Sequence, residues 1–262
     1  MASRLSAEQV RHFNDRGYVI FREPVFSPAK FDALKDHFEE KLAALPADVR
    51  PELMDAVHFT DTKLFDWLLD DEVLDIVEPL LGPDIALFNS HFLCKPAGDG
   101  KRVPWHEDSY YWAKAIDPMK VVTIWLAIDP SNTGNGCMRV IPGTHVNGYS
   151  DYEQVDDMEG NVFHIEIKRH QLDESKAVDL VLSPNQASLH ESHVMHGSLP
   201  NTSTSRRCGY TMRYVSTRSK FTVEAPHKHH LYLARGRDHA GNFYGDPNKV
   251  YEELRRYRER GH

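Results

Sequence analysis

Two residues able to bind a metal ion, His106 and Asp108, stand two positions apart in the run Trp105-His106-Glu107-Asp108-Ser109. On an extended strand, residues i and i+2 leave the same face, so an imidazole and a carboxylate at this spacing can converge on one ion. A third ligand from a distant strand would complete one triangular face and leave the opposite positions open, which suits non-heme Fe(II). Three later histidines, His190, His193 and His196, compete for that role. On a regular strand His190 shares parity with His196, whereas His193 faces the other way. Arg206, Arg207 and Arg213 follow, and a guanidinium fork grips a carboxylate through two parallel hydrogen bonds, which lysine cannot do. By itself the triplet is weak: with 16 histidines in 262 residues, a His-x-Asp pattern arises about once by chance.

The elements that must position these residues are legible in the spacing. Ser6-Ala7-Glu8-Gln9 reads as a capping box opening a helix towards Arg16, and Gly17 ends it. Tyr18 to Phe21 is a short β-prone run. Ser27-Pro28 opens a second helix with proline in its first turn, and Phe31, Leu34, Phe38, Leu42 and Leu45 give it one buried face. Thr60 to Leu81 reads as one or two more helices. From Ile85 the character changes to short β-prone runs at Ile85 to Lys95, Val121 to Ile128, Met138 to Ile141, Val162 to Ile167, Ala177 to Leu182, Ala187 to His190 and Arg207 to Val215. Turn residues separate them, which indicates a barrel or sandwich. Lys249 to Arg258 returns to a helical pattern with Val250, Leu254 and Tyr257 on one side.

Length and composition allow one large β-rich domain over residues 1–262, with a helical N-terminal part to about residue 82, a β core from about 83 to 220, and a C-terminal segment and helix beyond. No window approaches the ~18 consecutive apolar residues of a membrane span, and the start Met-Ala-Ser-Arg-Leu lacks a leader's apolar core. A cytoplasmic location without membrane attachment is expected. Net charge is −8, and the basic residues are dispersed apart from Arg255, Arg256, Arg258 and Arg260, which alternate with Glu253 and Glu259. That argues against a nucleic-acid surface, which needs a concentrated basic stripe. Three widely spaced cysteines, Cys94, Cys137 and Cys208, fit a reducing compartment and small buried side chains. Nothing in the chain speaks to oligomeric state.

Taken together, Lys95-Pro96, Trp105 to Ser109, Trp125-Leu126-Ala127, the run from Gly136 to His145, His196-Gly197-Ser198 and Arg207 resemble the phytanoyl-CoA dioxygenase (PhyH) family in order and spacing over nearly the whole chain. The resemblance implies a mainly β fold with flanking helices around a double-stranded β-helix, the jelly-roll or cupin-like core. It implies Fe(II) and 2-oxoglutarate with O2 as cosubstrate, and ascorbate as an in vitro reductant. Carried over by position, His106, Asp108 and His196 look like the iron ligands, and Arg207 like the group holding the far carboxylate of 2-oxoglutarate. Ser198 is placed to share that carboxylate. Lys95 is placed by the cosubstrate or substrate, Asn89 shares its parity, and Trp125 lines the pocket or the core.

Tyr110, Tyr111 and Trp112 follow the metal motif and are read as the pocket mouth or as rim packing. Arg213 lies on the face of Arg207, nearer the substrate, and His190 packs near the metal. The segment Arg235 to Asn242 is expected to shape the pocket. His164, His170 and the cluster His227, His229 and His230 lack ligand spacing and are read as surface residues. Ser183-Pro184-Asn185-Gln186 departs from the family pattern, where a Gly-Asp turn commonly precedes the strand of the distal histidine. The expected activity is hydroxylation of a small metabolite with release of succinate and CO2. Desaturation, epoxidation or cyclisation use the same cofactors. The retained carboxylate of Asp108 disfavours halogenation, since related halogenases have a small residue there. Two rivals are a zinc hydrolase, which would leave Arg207, Ser198 and Lys95 without a task, and a non-catalytic metabolite-binding barrel.

Overall fold

The computed structural model describes residues 3–222, 231–252 and 254. The cluster His227, His229 and His230, and the C-terminal arginine run, lie outside the described residues. So does the end of the expected last helix, of which Glu252 and Leu254 are helical.

Local chemistry sets the helical ends. Ser6 caps α1 (Ala7–Arg16) by accepting from the Gln9 amide, while the Gln9 side chain accepts from the Ser6 amide, and Gly17 closes the helix at φ 79°. β1 (Tyr18–Phe21) follows, then α2 (Pro28–Ala43), which buries Phe31, Leu34 and Phe38. After β2 (Met54–Asp55), the stretch from Thr60 to Leu81 forms α3 (Phe65–Leu68) and α4 (Asp71–Leu81). Asp70 caps α4 through the Glu72 amide.

The core begins with β3 (Ile85–Lys95), β4 (Val103–His106), α5 (Asp108–Trp112) and β5 (Ile116–Asp117). Next come β6 (Val121–Ala127), β7 (Met138–Val140), β8 (Tyr152–Gln154) and β9 (Ile165–Ile167). The remainder is β10 (Val178–Asp179), β11 (Ala187–Glu191), β12 (His196–Ser198), β13 (Arg207–Ser216), β14 (Lys220–Phe221) and β15 (Tyr232–Arg235). A seven-stranded sheet runs β1-β11-β6-β13-β3-β15 with β2 paired to β3, and a four-stranded sheet runs β10-β7-β12-β4. Both are antiparallel, the two layers of a jelly roll. Trp125 and Ala127 of the larger sheet pack with Met138 and Val140 of the smaller one. On its other face the larger sheet presents Leu126, Leu189, Tyr210 and Met212 to Phe31, Leu34 and Phe38 of α2. Buried on both faces, its strands read as nearly continuous apolar runs.

Three expectations need correction. The β core does not begin at about residue 83, because β1, formed by the expected β-prone run Tyr18 to Phe21, pairs with β11 inside the larger sheet. The C-terminal segment likewise contributes β15, which pairs with β3. The runs at Val162 to Ile167 and Ala177 to Leu182 contain only β9 and β10. Asn161 is occupied with the Asp157 carbonyl and Arg102, and among the described residues β9 pairs only with the short β8.

Candidate active site

The smaller sheet brings the two distant histidines together by register. His106 ends β4, His196 begins β12, and the two are direct partners across the antiparallel pair, with ring centroids 4.1 Å apart. Asp108 arrives differently from the expected strand: Glu107 is still extended at φ −114° and ψ 131°, but Asp108 opens α5. The chain turns because Tyr110 N–H closes on the Glu107 carbonyl and Ser109 N–H donates to Ser192. The Asp108 carboxylate still faces the imidazoles. Its Oδ1 lies 3.8 Å from His106 Nε2 and 3.9 Å from His196 Nε2.

All three donor atoms lie within 4.8 Å of one another and all three residues are buried. His106 Nδ1 is 2.8 Å from the Pro104 carbonyl and His196 Nδ1 is 3.0 Å from the Val194 carbonyl. A carbonyl only accepts, so each Nδ1 carries the proton and each Nε2 turns its lone pair inward. Burial pushes both imidazoles below their ordinary pKa, His196 furthest, with His106 and His190 adding repulsion. Burial alone would raise Asp108, but Arg213, His190 and His196 outweigh it and hold the carboxyl well below the usual range. Two neutral imidazoles and one carboxylate on one side of an open cavity fit Fe(II).

The larger sheet forms the facing wall. Register aligns His190 of β11, Thr123 of β6 and Arg213 of β13 in one row, and all three reach Asp108 Oδ2. Thr123 Oγ1 donates at 3.1 Å, His190 Nε2 at 3.3 Å, and Arg213 Nε stands 3.8 Å away. Further along the wall Gly209 faces Trp125, where an added Cβ would lie 2.0 Å from the indole ring. That opening lets the indole lie beneath Arg207, whose guanidinium is 5.3 Å from the ring centroid. Arg207 is 2% exposed, its Nε lacks a partner, and burial lowers it to about 10. A buried cation with an unspent donor fits a carboxylate.

The open cavity measures about 490 Å³ with its mouth included, and His106, Asp108, His196, Ser198, Trp125, Arg207, His190 and Arg213 line it. Other expected residues stand elsewhere. Lys95, directly opposite Arg207, donates to the Leu199 carbonyl at 2.5 Å, and burial with the nearby Arg207 lowers it to about 6. Asn89 is engaged with Asp55 and the Ser90 amide. Tyr110 stacks on Tyr152, and Tyr111 leans on Phe163. Trp112 packs edge-on against Phe88 and carries the Arg213 guanidinium 5.5 Å above its ring. Arg235 is a correction: it is tied to Asp71, Asp75 and Glu78 of α4 and lines no part of the cavity. Arg206 is held by Glu39 and Asp129, and His193 by Glu191.

The sequence reading missed His91, Leu93, Thr123 and Thr211, all of which line the cavity. Parity could have found them, since they share a face with Lys95, Trp125, Arg207 and Arg213 at two-residue steps on the same strands. Phe163 had no such signal, because it comes from a loop.

Residues 13–209 match the family model of phytanoyl-CoA dioxygenase (PhyH). The chain belongs to this family. A probable alpha-ketoglutarate-dependent hypophosphite dioxygenase from Stutzerimonas stutzeri is 28% identical over 221 residues, 77% of this chain and 75% of that protein. The human peroxisomal phytanoyl-CoA dioxygenase is 28% identical over 162 residues, 60% of this chain. The match takes in 47% of the human protein, so the chain spans about half the length of that PhyH relative. The non-heme monooxygenase ThoJ, in its apo structure, shares the fold with a TM-score of 0.74 over 96% of this chain and 94% of its own, at 23% identity. PhyH membership and the donor set make the chain a non-heme Fe(II)- and 2-oxoglutarate-dependent dioxygenase. Among the described residues no helix is long and apolar enough to cross a membrane.

Proposed function

We propose that this dioxygenase hydroxylates a C–H bond of a small molecule, converting R–H, 2-oxoglutarate and O2 into R–OH, succinate and CO2. The observation that carries the reading is one cavity with a buried His, Asp, His face on one wall and, also lining it, a buried Arg207 whose Nε lacks a partner. His106, Asp108 and His196 are the residues that would hold Fe(II). Bound there, the iron supplies the activation of O2 and the oxidation of carbon.

The chain's own residues do the rest. Arg207 receives the far carboxylate of 2-oxoglutarate, and Ser198, two residues beyond His196 on the same wall, supports it. Trp125 shields that end from water, which strengthens the charge pairing. Pro104 and Val194 carbonyls keep the two imidazoles in the tautomer that presents Nε2. Thr123 and His190 take one oxygen of Asp108 and leave the other facing the histidines. One catalytic unit spanning the chain is part of the proposal, because β1 and β15 both belong to the larger sheet.

The test is succinate formation from 2-oxoglutarate in protein prepared without oxygen and then given Fe(II) and O2, with and without candidate substrates. Asp108→Ala and Arg207→Ala are expected to lower turnover at least about 100-fold, through metal and 2-oxoglutarate binding respectively. Turnover that survives both changes would overturn the assignment. Hydrolysis supported by zinc without oxygen would favour a metallohydrolase, and products analysed by mass separate hydroxylation (about +16) from desaturation (about −2).

A further inference from the structure

Arg213 has a guanidinium in the active cavity that the dioxygenase reading leaves without a ligand. It sits on β13 on the same face as Arg207, six residues along, so the two backbone positions are about 20 Å apart. One cavity therefore has an arginine at each end. No hydrogen bond satisfies Arg213 Nε, which is buried, and the side chain is only 11% exposed. Its nearest carboxylate does not satisfy it. Asp108 Oδ2 is 3.8 Å from Nε, beyond hydrogen-bond distance, and that oxygen already accepts from Thr123 and His190.

The local architecture holds the guanidinium in place. Immediately after Arg213 the β13 and β3 pairing shifts register: Arg213 faces Asn89, but Tyr214 faces Leu87. The extra residue on β3 is Phe88, whose ring meets Trp112 edge-on, and Trp112 in turn lies under Arg213. A bulge beside a cavity is a common way to re-aim a side chain. Cation and ring support one another here while the fork's polar edge is left for a ligand.

Charge points to the ligand's chemistry. The two positive charges of Fe(II) and the one on Arg207 balance Asp108 and the dicarboxylate of 2-oxoglutarate. Arg213 is the surplus cation. We propose that Arg213 anchors the substrate, and that the substrate carries an oxyanionic group, carboxylate or phosphorus oxyanion, bound by this guanidinium at the end of the cavity away from Arg207. This rests on the dioxygenase reading of the site. Because Arg213 is also beside Asp108, the oxidised carbon lies only a few bonds from the oxyanion.

The test measures binding, under argon, to protein loaded with Fe(II) and 2-oxoglutarate. Hexanoate, hexylphosphonate and hexan-1-ol are titrated by calorimetry. At least one anion is expected to bind about tenfold or more tightly than the alcohol, and which one does so identifies the oxyanion. Arg213→Gln, titrated once calorimetry has shown it saturated with Fe(II) and 2-oxoglutarate, is expected to lose that preference. Arg213→Lys, which keeps the charge, retains part of it. Two results would overturn the proposal: no preference for either anion in the parent protein, or the same anion preference retained in Arg213→Gln saturated with Fe(II) and 2-oxoglutarate. If the parent protein fails to bind 2-oxoglutarate, the dioxygenase reading falls instead, and the anion preference is still read on Arg213.

Discussion

Burying an ionisable side chain costs stability even beside the site, and Lys95 shows it without any ligand. The lysine is 1% exposed, and its pKa falls from 10.5 to about 6, through burial first and Arg207 second. Between those two values the unfolded chain binds a proton that the folded chain does not. Stability must therefore climb as pH rises from about 6 towards 10, and this residue costs most at pH 6 and below. Lys95→Met removes the cost along with one hydrogen bond to Leu199. In metal-free protein the variant is expected to gain most over its parent at pH 6, by about 2 kcal/mol or some 4–8 °C in Tm, and to lose that advantage by pH 10. Thermal melts at pH 6, 8 and 10 check it; a difference that does not change with pH would show that Lys95 is charged in the fold.

At the scale of elements, parity and register matter more than residue identity. Arg207 can lie on the Trp125 ring only because Gly209, two residues further along β13, has no side chain to block the indole. Gly209→Ala should displace the indole, cost about 1–3 kcal/mol, and weaken 2-oxoglutarate binding at least about tenfold. Trp125→Phe in the same protein should recover most of the stability. Melting curves and calorimetry on the single and double variants test this, and additive losses would refute the packing argument.

The same scale separates what the sequence reveals from what it hides. The Ser6 cap, the Gly17 stop and the apolar steps of α2 are local signals, and they fall where the spacing predicts. The departure at Ser183 to Gln186 is legible only afterwards: Asn185 takes the left-handed conformation at φ 66°, which asparagine tolerates. Its side chain also holds the Phe26 backbone from both sides, a contact between residues 26 and 185 that no local pattern reports. Asp108 leaving the strand for α5 is similar, since its turn depends on Ser192. Arg235 had no distinguishing signal either, because its three acidic partners lie on a helix more than 150 residues away in sequence.

Across the whole molecule, the site exists only when the two sheets meet. The smaller sheet contributes His106 and His196, while the larger contributes Thr123, His190, Arg207 and Arg213. A ligand that binds only this closed arrangement stabilises the entire fold by mass action, by about 2.7 kcal/mol at 100 times its Kd. For a chain of this size that is about 5–10 °C in Tm. Fe(II) and 2-oxoglutarate, added anaerobically, should each give such an increment, and each should depend on a different wall. His196→Ala is expected to lose the metal's increment and, with it, the part of 2-oxoglutarate affinity that chelation supplies. Arg207→Gln is expected to keep the metal's increment and lose most of that from 2-oxoglutarate. Equal loss of both increments in Arg207→Gln would mean that the larger sheet shapes the metal face as well, so that the two walls could not be assigned separate tasks.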